Sequence, residues 1–124
     1  MTRFTEMETA ALRAIFAETP AIALALESQL GRAVVTEREN SGGGFFTDID
    51  VPDNVSSVDC PKTLGNATHA RIEGLEHGLG FVLFMREGKL DMLEGFAWGV
   101  ENTAPLDLSN LSFEIYHEPI QQID

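Results

Sequence analysis

Basic residues, cysteine and long apolar runs are scarce in this chain of 124 residues. There are 8 lysine and arginine residues against 20 aspartate and glutamate residues, and the formal net charge at pH 7 is −12. Such a surface repels the phosphates of nucleic acids and the headgroups of anionic lipids, so we expect neither a nucleic acid nor a membrane as partner. Cys60 is the single cysteine, which excludes an intramolecular disulfide framework.

The absence of long apolar runs predicts a cytoplasmic protein. No run approaches the roughly 20 residues that a membrane-spanning helix needs. Residues 1–16 lack the basic and then apolar regions of a secretion signal, because Glu6 and Glu8 interrupt them. The length and the hydrophobic share of 44% suit one globular domain over residues 1–124.

Motifs for enzymatic chemistry are also missing. The glycines at 42–44 are not followed by the Lys-Ser/Thr pair of a phosphate-binding loop. Cys60, His69 and His77 do not have the spacing of a zinc site, and no Gly-x-Ser-x-Gly nucleophile motif is present. We therefore predict no catalytic residue, no metal and no cofactor.

Two segments near the N-terminus have helical patterns. Thr5 and Glu8 have the spacing of a capping box, and the apolar residues that follow predict a helix over about residues 5–18. A second helix is predicted over about residues 20–30, with Pro20 at its first position. Because its first half is apolar nearly all round, we expect this second helix to be the more deeply buried one.

From residue 33 onward the apolar residues recur with a period of two, which is typical of strands. The predicted strands are at about residues 33–39, 45–51, 68–74, 79–86, 90–98 and 111–117. An irregular segment, 52–67, separates the second strand from the third. Short connections favour antiparallel neighbours, so the expected fold is an α+β domain in which the two N-terminal helices pack on a curved, mainly antiparallel meander of about five or six strands.

One part of the chain resembles a known sequence pattern. Its segments are GLEHG at 74–78, GFVLF at 80–84 and LEG at 93–95, with GFFT at 44–47 and VP at 51–52 upstream. In this pattern, which covers about residues 40–100, the chain is similar to a family of small, acidic, uncharacterised bacterial proteins. The resemblance implies a bacterial origin and a single domain, and it assigns no functional residue.

Strict alternation along the strands 79–86 and 90–98 predicts two different faces of the sheet. The heavy apolar face, which the helices should cover, carries Leu79, Phe81, Leu83, Met85, Leu90, Met92, Phe96 and Trp98. The opposite face carries Gly80, Val82, Phe84, Arg86, Asp91, Leu93, Gly95 and Ala97. Its small residues would let another surface approach closely.

Glu94 falls on the heavy face in this assignment, between Met92 and Phe96. An ionised carboxylate is costly there unless it is paired. Glu94 is therefore either a pocket acid with a raised pKa or the partner of Arg71 or His69 in a structural ion pair. The candidates for a ligand pocket between the helices and the sheet are Glu94, Arg71, His69, His77 and Trp98.

The acidic C-terminal part of the chain favours an interface, since no lysine or arginine follows Lys89. The interface candidates are Phe84, Asp91, Leu93, Glu114 and Tyr116. We predict a non-catalytic protein–protein interaction module that binds a basic protein or a second copy of itself, by an analogy with small acidic immunity proteins that rests on charge and size alone. The alternative is a ligand-binding or enzymatic pocket centred on Glu94. A further interpretation of the acidic residues is that they only keep the protein soluble.

Overall fold

The computed structural model describes residues 3–99 and 101–118. Its helices are α1 (Glu6–Ala17) and α2 (Ala23–Arg32), and its strands are β1 (Val34–Asn40), β2 (Gly44–Asp50), β3 (Thr63–Leu64), β4 (Thr68–Ile72), β5 (Leu79–Arg86), β6 (Lys89–Ala97) and β7 (Phe113–His117). These elements confirm the predicted α+β class, with two helices followed by a mainly antiparallel sheet.

The seven strands form one sheet in the order β1-β2-β6-β5-β4-β7, and β3 also pairs with β5. The described pairs are antiparallel. Consecutive strands are neighbours in the pairs β1–β2, β4–β5 and β5–β6, as in a meander. The pairs β2–β6 and β4–β7 instead join strands that are far apart in the chain. Strands β1 and β7 lie at the two ends of the order and form edges of the sheet.

Helix α1 supplies most of the helical part of the core. It begins with the predicted capping box, in which the Glu8 N–H donates to Thr5 Oγ1 at 3.1 Å and the Thr5 N–H donates to Glu8 Oε1 at 2.7 Å. The helix packs against β4, β5 and β7. Its buried apolar residues are Met7, Ala11, Leu12, Ile15 and Phe16.

Helix α2 begins at Ala23, later than the predicted start at Pro20. Pro20 lies in a turn instead, and its carbonyl accepts the Ala23 N–H at 3.4 Å. The Thr19 hydroxyl donates back to the Phe16 carbonyl at 3.2 Å, so it closes α1 and does not cap α2. The Thr19-Pro20 pair therefore ends the first helix and does not start the second.

Helix α2 is also the more exposed of the two helices, contrary to the prediction. It packs beside the β5–β6 hairpin at the margin of the core, and only Leu26 and Gln29 are buried. Leu24 is 88% exposed, because a helix at the margin of a sheet buries one side only. No helix in the described part of the chain has both the length and the apolar character needed to cross a membrane.

The irregular segment 52–67 contains a strand that the sequence pattern did not predict. In β3, Thr63 pairs with Phe84 and Leu64 pairs with Leu83. Two residues are too few to show a period of two, so alternation has no means of detecting this strand. The strand is defined by the β5 edge against which it lies.

A single buried side chain, Gln29 of α2, anchors the loop that precedes β3. Its Nε2 donates to the Ser56 carbonyl at 3.1 Å and to the Gly88 carbonyl at 2.9 Å. Its Oε1 accepts the Leu90 N–H at 3.0 Å. Each polar atom of this buried amide thus has a partner, and the loop and the β5–β6 hairpin are tied to the helix.

A β-bulge in β6 reverses the faces predicted for the second half of that strand. Met85 pairs with Leu90, whereas Phe84 pairs with Met92, so Asp91 is an extra residue without a partner in the register. Strict alternation does not allow for such an insertion, and one extra residue exchanges the two faces. Beyond the bulge, the helix side carries Leu93, Gly95 and Ala97, and the opposite side carries Met92, Glu94 and Phe96.

The buried apolar residues form one cluster between the helices and the sheet. Leu93, which the sequence analysis places at an interface, belongs to this cluster and is 0% exposed. The Phe45 ring lies over Gly95, where a Cβ atom would be only 2.2 Å from the ring. The same ring meets Phe81 edge to face, with centroids 6.2 Å apart. The core therefore lies on one side of the sheet.

Candidate functional site

The side of the sheet that faces away from the core carries polar and half-buried apolar side chains, and we call it the outer face. The strand registers place on it Val34, Glu37, Glu39, Phe46, Asp48, Asp50, His69, Arg71, Val82, Phe84, Arg86, Lys89, Met92, Glu94, Phe96, Glu114 and Tyr116. The buried residues of α1 and α2 pack into the core on the other side. The apolar side chains of the outer face consequently keep part of their surface accessible.

Acidic residues occupy the half of the outer face on β1, β2 and β6, which we call the acidic half. Its carboxylates belong to Glu37, Glu39, Asp48, Asp50 and Glu94. The register places Glu37 directly opposite Asp48, and directly opposed like charges destabilise a sheet. Arg38, the only basic residue of β1 and β2, lies on the helix side and binds Glu8. These two strands therefore bring no compensating cation to the outer face, and the cations of the β5–β6 hairpin, Arg86 and Lys89, lie at its turn.

Two half-buried apolar residues lie among these acids. Phe46 pairs with Glu39 on one side and with Glu94 on the other. Met92 pairs with Asp48. An apolar centre surrounded by polar and charged groups is the arrangement found at protein interfaces.

Glu94 lies opposite Phe46 of β2 and Val82 of β5, and not between the helices and the sheet as predicted. The bulge in β6 is the reason for the difference. Burial among these apolar neighbours raises the pKa of Glu94 above its ordinary value. In the described part of the chain no basic side chain forms an ion pair with it, and Arg71, one of the predicted partners, pairs with Glu114 instead.

The other half of the outer face carries adjoining aromatic rings, which we call the aromatic row. Tyr116 and His69 stack with ring centroids 5.5 Å apart. His69 lies 5.8 Å from Trp98, and Trp98 lies 5.0 Å from Phe96. The rings lie close to the backbone of β5 because residue 80 is glycine, where a Cβ atom would be 2.5 Å from Phe96 Cζ.

Three of the predicted ligand-pocket residues come together in or beside the aromatic row. His69 and Trp98 belong to it, and the Arg71 guanidinium lies 4.3 Å from the centre of the Tyr116 ring. His77 is not part of the row, but it lines a cavity of about 600 Å³ together with Arg71, Glu114 and Tyr116. The His77 side chain is exposed in the turn after β4, where the Glu101 carboxylate accepts the backbone N–H of His77 at 2.8 Å.

The predicted interface residues do not form one surface. Phe84 lies on the outer face next to the acidic half, and Tyr116 belongs to the aromatic row. Glu114 is exposed on the edge strand β7. Asp91 occupies the bulge, and Leu93 is buried in the core.

A cavity of about 330 Å³ opens where the turn between β3 and β4 meets the C-terminal end of α1. The residues around it include Glu18, Thr63, Asn66, His69, Val82 and Phe96. The cavity therefore adjoins the aromatic row, whereas Glu94 does not line it. The predicted polar pocket residues are thus divided among three places: His69 at this cavity, Glu94 in the acidic half, and Arg71 with His77 at the turn after β4.

Metal-ligating groups and the free thiol add no further site to the described residues. Within 3–99 and 101–118, no group of three or more His, Cys, Asp or Glu side chains is placed to hold a metal ion. Burial, together with the nearby charge of Asp59, raises the pKa of the Cys60 thiol. A raised pKa disfavours the thiolate that a nucleophile requires.

The acidic half is the feature that the sequence analysis missed. Glu37 and Glu39 alternate with Arg38, which is a local signal that the two acids share one face. Their position opposite β2 follows from a register that shifts between Val35 and Glu37, and this shift has no separate sequence mark.

Comparisons with protein-family models, curated proteins and solved structures find no match for this chain. Its function is therefore inferred from the geometry and the charge of the outer face.

Proposed function

We propose that this protein is a non-catalytic binding module whose acidic half holds a basic protein partner. The observation that carries the proposal is the position of half-buried Phe46 and Met92 among carboxylates that have no cation from β1 or β2 on the same face. An apolar centre supplies affinity when it is covered, and the surrounding charges select the partner. The cytoplasmic location that accompanies this proposal rests on the sequence alone.

The stability cost of the acidic half supports a binding function. Glu37 opposite Asp48 weakens the β1–β2 pair, and the raised pKa of Glu94 reflects a carboxylate that is poorly solvated among apolar neighbours. Binding sites commonly retain residues that lower stability. A partner that presents lysine or arginine side chains would neutralise these carboxylates and cover Phe46 and Met92 in the same step.

Charge also favours a basic protein over a second copy of this chain. Two acidic halves facing each other would bring like charges together around the same apolar centre, which opposes association. The net charge of −12 adds a long-range repulsion between copies. A basic protein experiences the opposite effect, because the same field accelerates its approach.

The proposal is tested with the variant Glu37→Lys/Asp48→Lys and a matched variant, Glu73→Lys/Glu76→Lys, which changes the net charge equally at exposed residues outside the acidic half. Wild type and both variants are immobilised and exposed to lysate of the source organism. A retained protein is then purified, and its dissociation constant is measured at several salt concentrations.

The expected result is a basic protein whose affinity falls with added salt, falls about tenfold or more for the variant in the acidic half, and is little changed for the matched variant. Equal affinity of the two variants would show that the acidic half is not the binding surface. A retained protein that is acidic and binds independently of salt would also contradict the proposal.

A further inference from the structure

We propose that the cavity at the β3–β4 turn binds a small organic cation that carries an ammonium group. This site is separate from the acidic half and does not depend on the function proposed above. Its volume of about 330 Å³ lies at the lower end of the range of small-molecule sites in proteins. Its wall combines a carboxylate, polar acceptors and apolar side chains, which is the combination that an organic ammonium ion requires.

The C-terminal end of α1 makes the cavity electrically negative. Glu18 is the C-cap residue of this helix and lines the cavity. The C-terminal end of a helix carries a partial negative charge, and a basic residue in the last turn would offset it. The last turn of α1 contains no basic residue. A carboxylate and a helix end of the same sign thus meet at the cavity. The His117 ring contacts this end of the helix, with Nε2 at 2.7 Å from the Ala14 carbonyl oxygen, and Glu18 itself has no ion pair among the described residues.

Hydrogen bonds hold the Glu18 carboxylate in place at the cavity. One oxygen, Oε1, accepts the Ala67 N–H at 3.1 Å, and the other accepts the Thr68 hydroxyl. A carboxylate has about four acceptor positions, so positions remain for a further donor. The side chain is therefore preorganised as an acceptor before a ligand arrives.

His69 lines the same cavity and can add an acceptor to it. Only 7% of this residue is exposed, and its Nε2 lies 2.8 Å from the Glu118 carbonyl oxygen. Because a carbonyl oxygen can only accept, Nε2 carries the hydrogen, and Nδ1 of the neutral ring is then an acceptor. Among the described residues, the hydrogen bond of this ring is the one made by Nε2. An ammonium group can donate to Nδ1 and to Glu18.

The apolar part of the wall fits the carbon skeleton of such a ligand. Phe96 and Val82 line the cavity from the outer face, and Phe81 lines it from the core side. Aromatic rings attract cations through the negative charge on their faces. A free amine and the lysine side chain of a protein offer the same ammonium group, so the experiment includes a probe for each source.

The probes are benzylammonium, backbone-blocked lysine and benzyl alcohol, each titrated into the 15N-labelled full chain and followed by NMR. Benzylammonium or blocked lysine is expected to shift the amide signals of Thr63, Asn66 and Val82. If benzylammonium binds more tightly, the ligand is a free amine, and if blocked lysine binds more tightly, it is a lysine side chain of a protein. Benzyl alcohol has the same ring without the charge and is expected to bind at least about tenfold more weakly.

The variant Glu18→Gln keeps an oxygen that can accept the Ala67 N–H, and its amide nitrogen can donate to the Thr68 hydroxyl, which accepts as well as donates. It removes the negative charge and is expected to weaken benzylammonium binding about tenfold or more. Glu27→Gln, which alters an exposed carboxylate paired with Arg13, serves as the matched control and leaves binding unchanged. Val82→Phe, which reduces the cavity, is a second variant expected to abolish binding.

Three outcomes would overturn the proposal. The first is equal affinity for benzyl alcohol and benzylammonium, and the second is unchanged benzylammonium binding by Glu18→Gln. The third is that benzylammonium shifts the amide signals of residues in the acidic half and not those of residues around the cavity. The variant Glu37→Lys/Asp48→Lys retains normal benzylammonium binding if the two sites are independent. Failure of this proposal is therefore distinguishable from failure of the proposed protein-binding function.

Discussion

Glu8 is the residue at which the fold couples most directly to pH. It is 1% exposed, and its carboxylate accepts hydrogen bonds from Arg38 Nε at 2.8 Å, from the Thr5 N–H at 2.7 Å and from the Thr47 hydroxyl. Burial raises the pKa of Glu8, but these hydrogen bonds and the charge of Arg38 outweigh it and hold the pKa below the ordinary value of 4.5. One side chain thus caps α1 and joins it to β1 and β2.

The variant Glu8→Gln is expected to lower the free energy of unfolding at pH 7 by about 2 kcal/mol, because it leaves the Arg38 guanidinium without its charged partner. In the wild type the folded state binds fewer protons than the unfolded state at pH values between the two pKa values. The stabilisation by Glu8 is therefore complete above about pH 4.5 and is lost as the pH falls through the folded pKa.

Urea unfolding at a series of pH values between about 3 and 7 measures this effect. Glu8→Gln should show a flatter loss of stability toward low pH than the wild type, while the exposed variant Glu73→Gln should follow the wild type. Parallel curves for wild type and Glu8→Gln would rule out Glu8 as the source of the acid sensitivity.

Strand β6 is the element that decides which residues are available for function. A single extra residue, Asp91, sends Leu93 into the core and brings Met92 and Glu94 to the outer face.

The elements themselves were largely predictable, because the Thr5–Glu8 capping box and the alternation along β5 are local signals. The faces of β6 were not predictable, since the bulge is seen only when β6 is paired with β5.

Deletion of Asp91 restores an uninterrupted alternation in β6. We expect the deletion to keep the fold and to change the free energy of unfolding by only about 1 kcal/mol, because the residues on both sides of the bulge keep their partners in β5 and Glu94 stays on the outer face. The substitution Asp91→Asn keeps the chain length and should change the stability by no more than about 0.5 kcal/mol. Circular dichroism during thermal unfolding compares the two, and a deletion that destabilises the fold by about 3 kcal/mol or more would contradict the assigned bulge, because only in a regular strand does a deletion exchange the two faces.

At the scale of the whole molecule, composition indicated the kind of partner but not the surface that binds it. The net charge of −12 is visible in the sequence and points to a basic partner. The charge pattern along the chain predicts that surface after Lys89, where basic residues end. Folding instead collects Glu37, Asp48 and Glu94 from three strands, through the long-range pairing of β2 with β6. Such pairing depends on contacts that no local pattern encodes.

The same charge distribution predicts that the protein is a monomer at neutral pH and low ionic strength, because repulsion between acidic halves is then least screened. Sedimentation velocity is the measurement, and a single species of about 13.6 kDa is the expected outcome. The matched variants Glu37→Lys/Asp48→Lys and Glu73→Lys/Glu76→Lys show whether any association involves the acidic half. A stable wild-type dimer at low salt that is lost only in Glu37→Lys/Asp48→Lys would contradict this prediction. It would show that the acidic half binds a second copy of the chain and not a basic protein.

The aromatic row gives the chain an optical reporter of its own. Trp98 is the single tryptophan, and it stands between His69 and Phe96, one of the residues that line the cavity. All indole emission therefore originates at the outer face and none in the core. In the folded protein, a change in emission wavelength or intensity reports an event on that face, so occupancy of the cavity can be followed without attaching a dye.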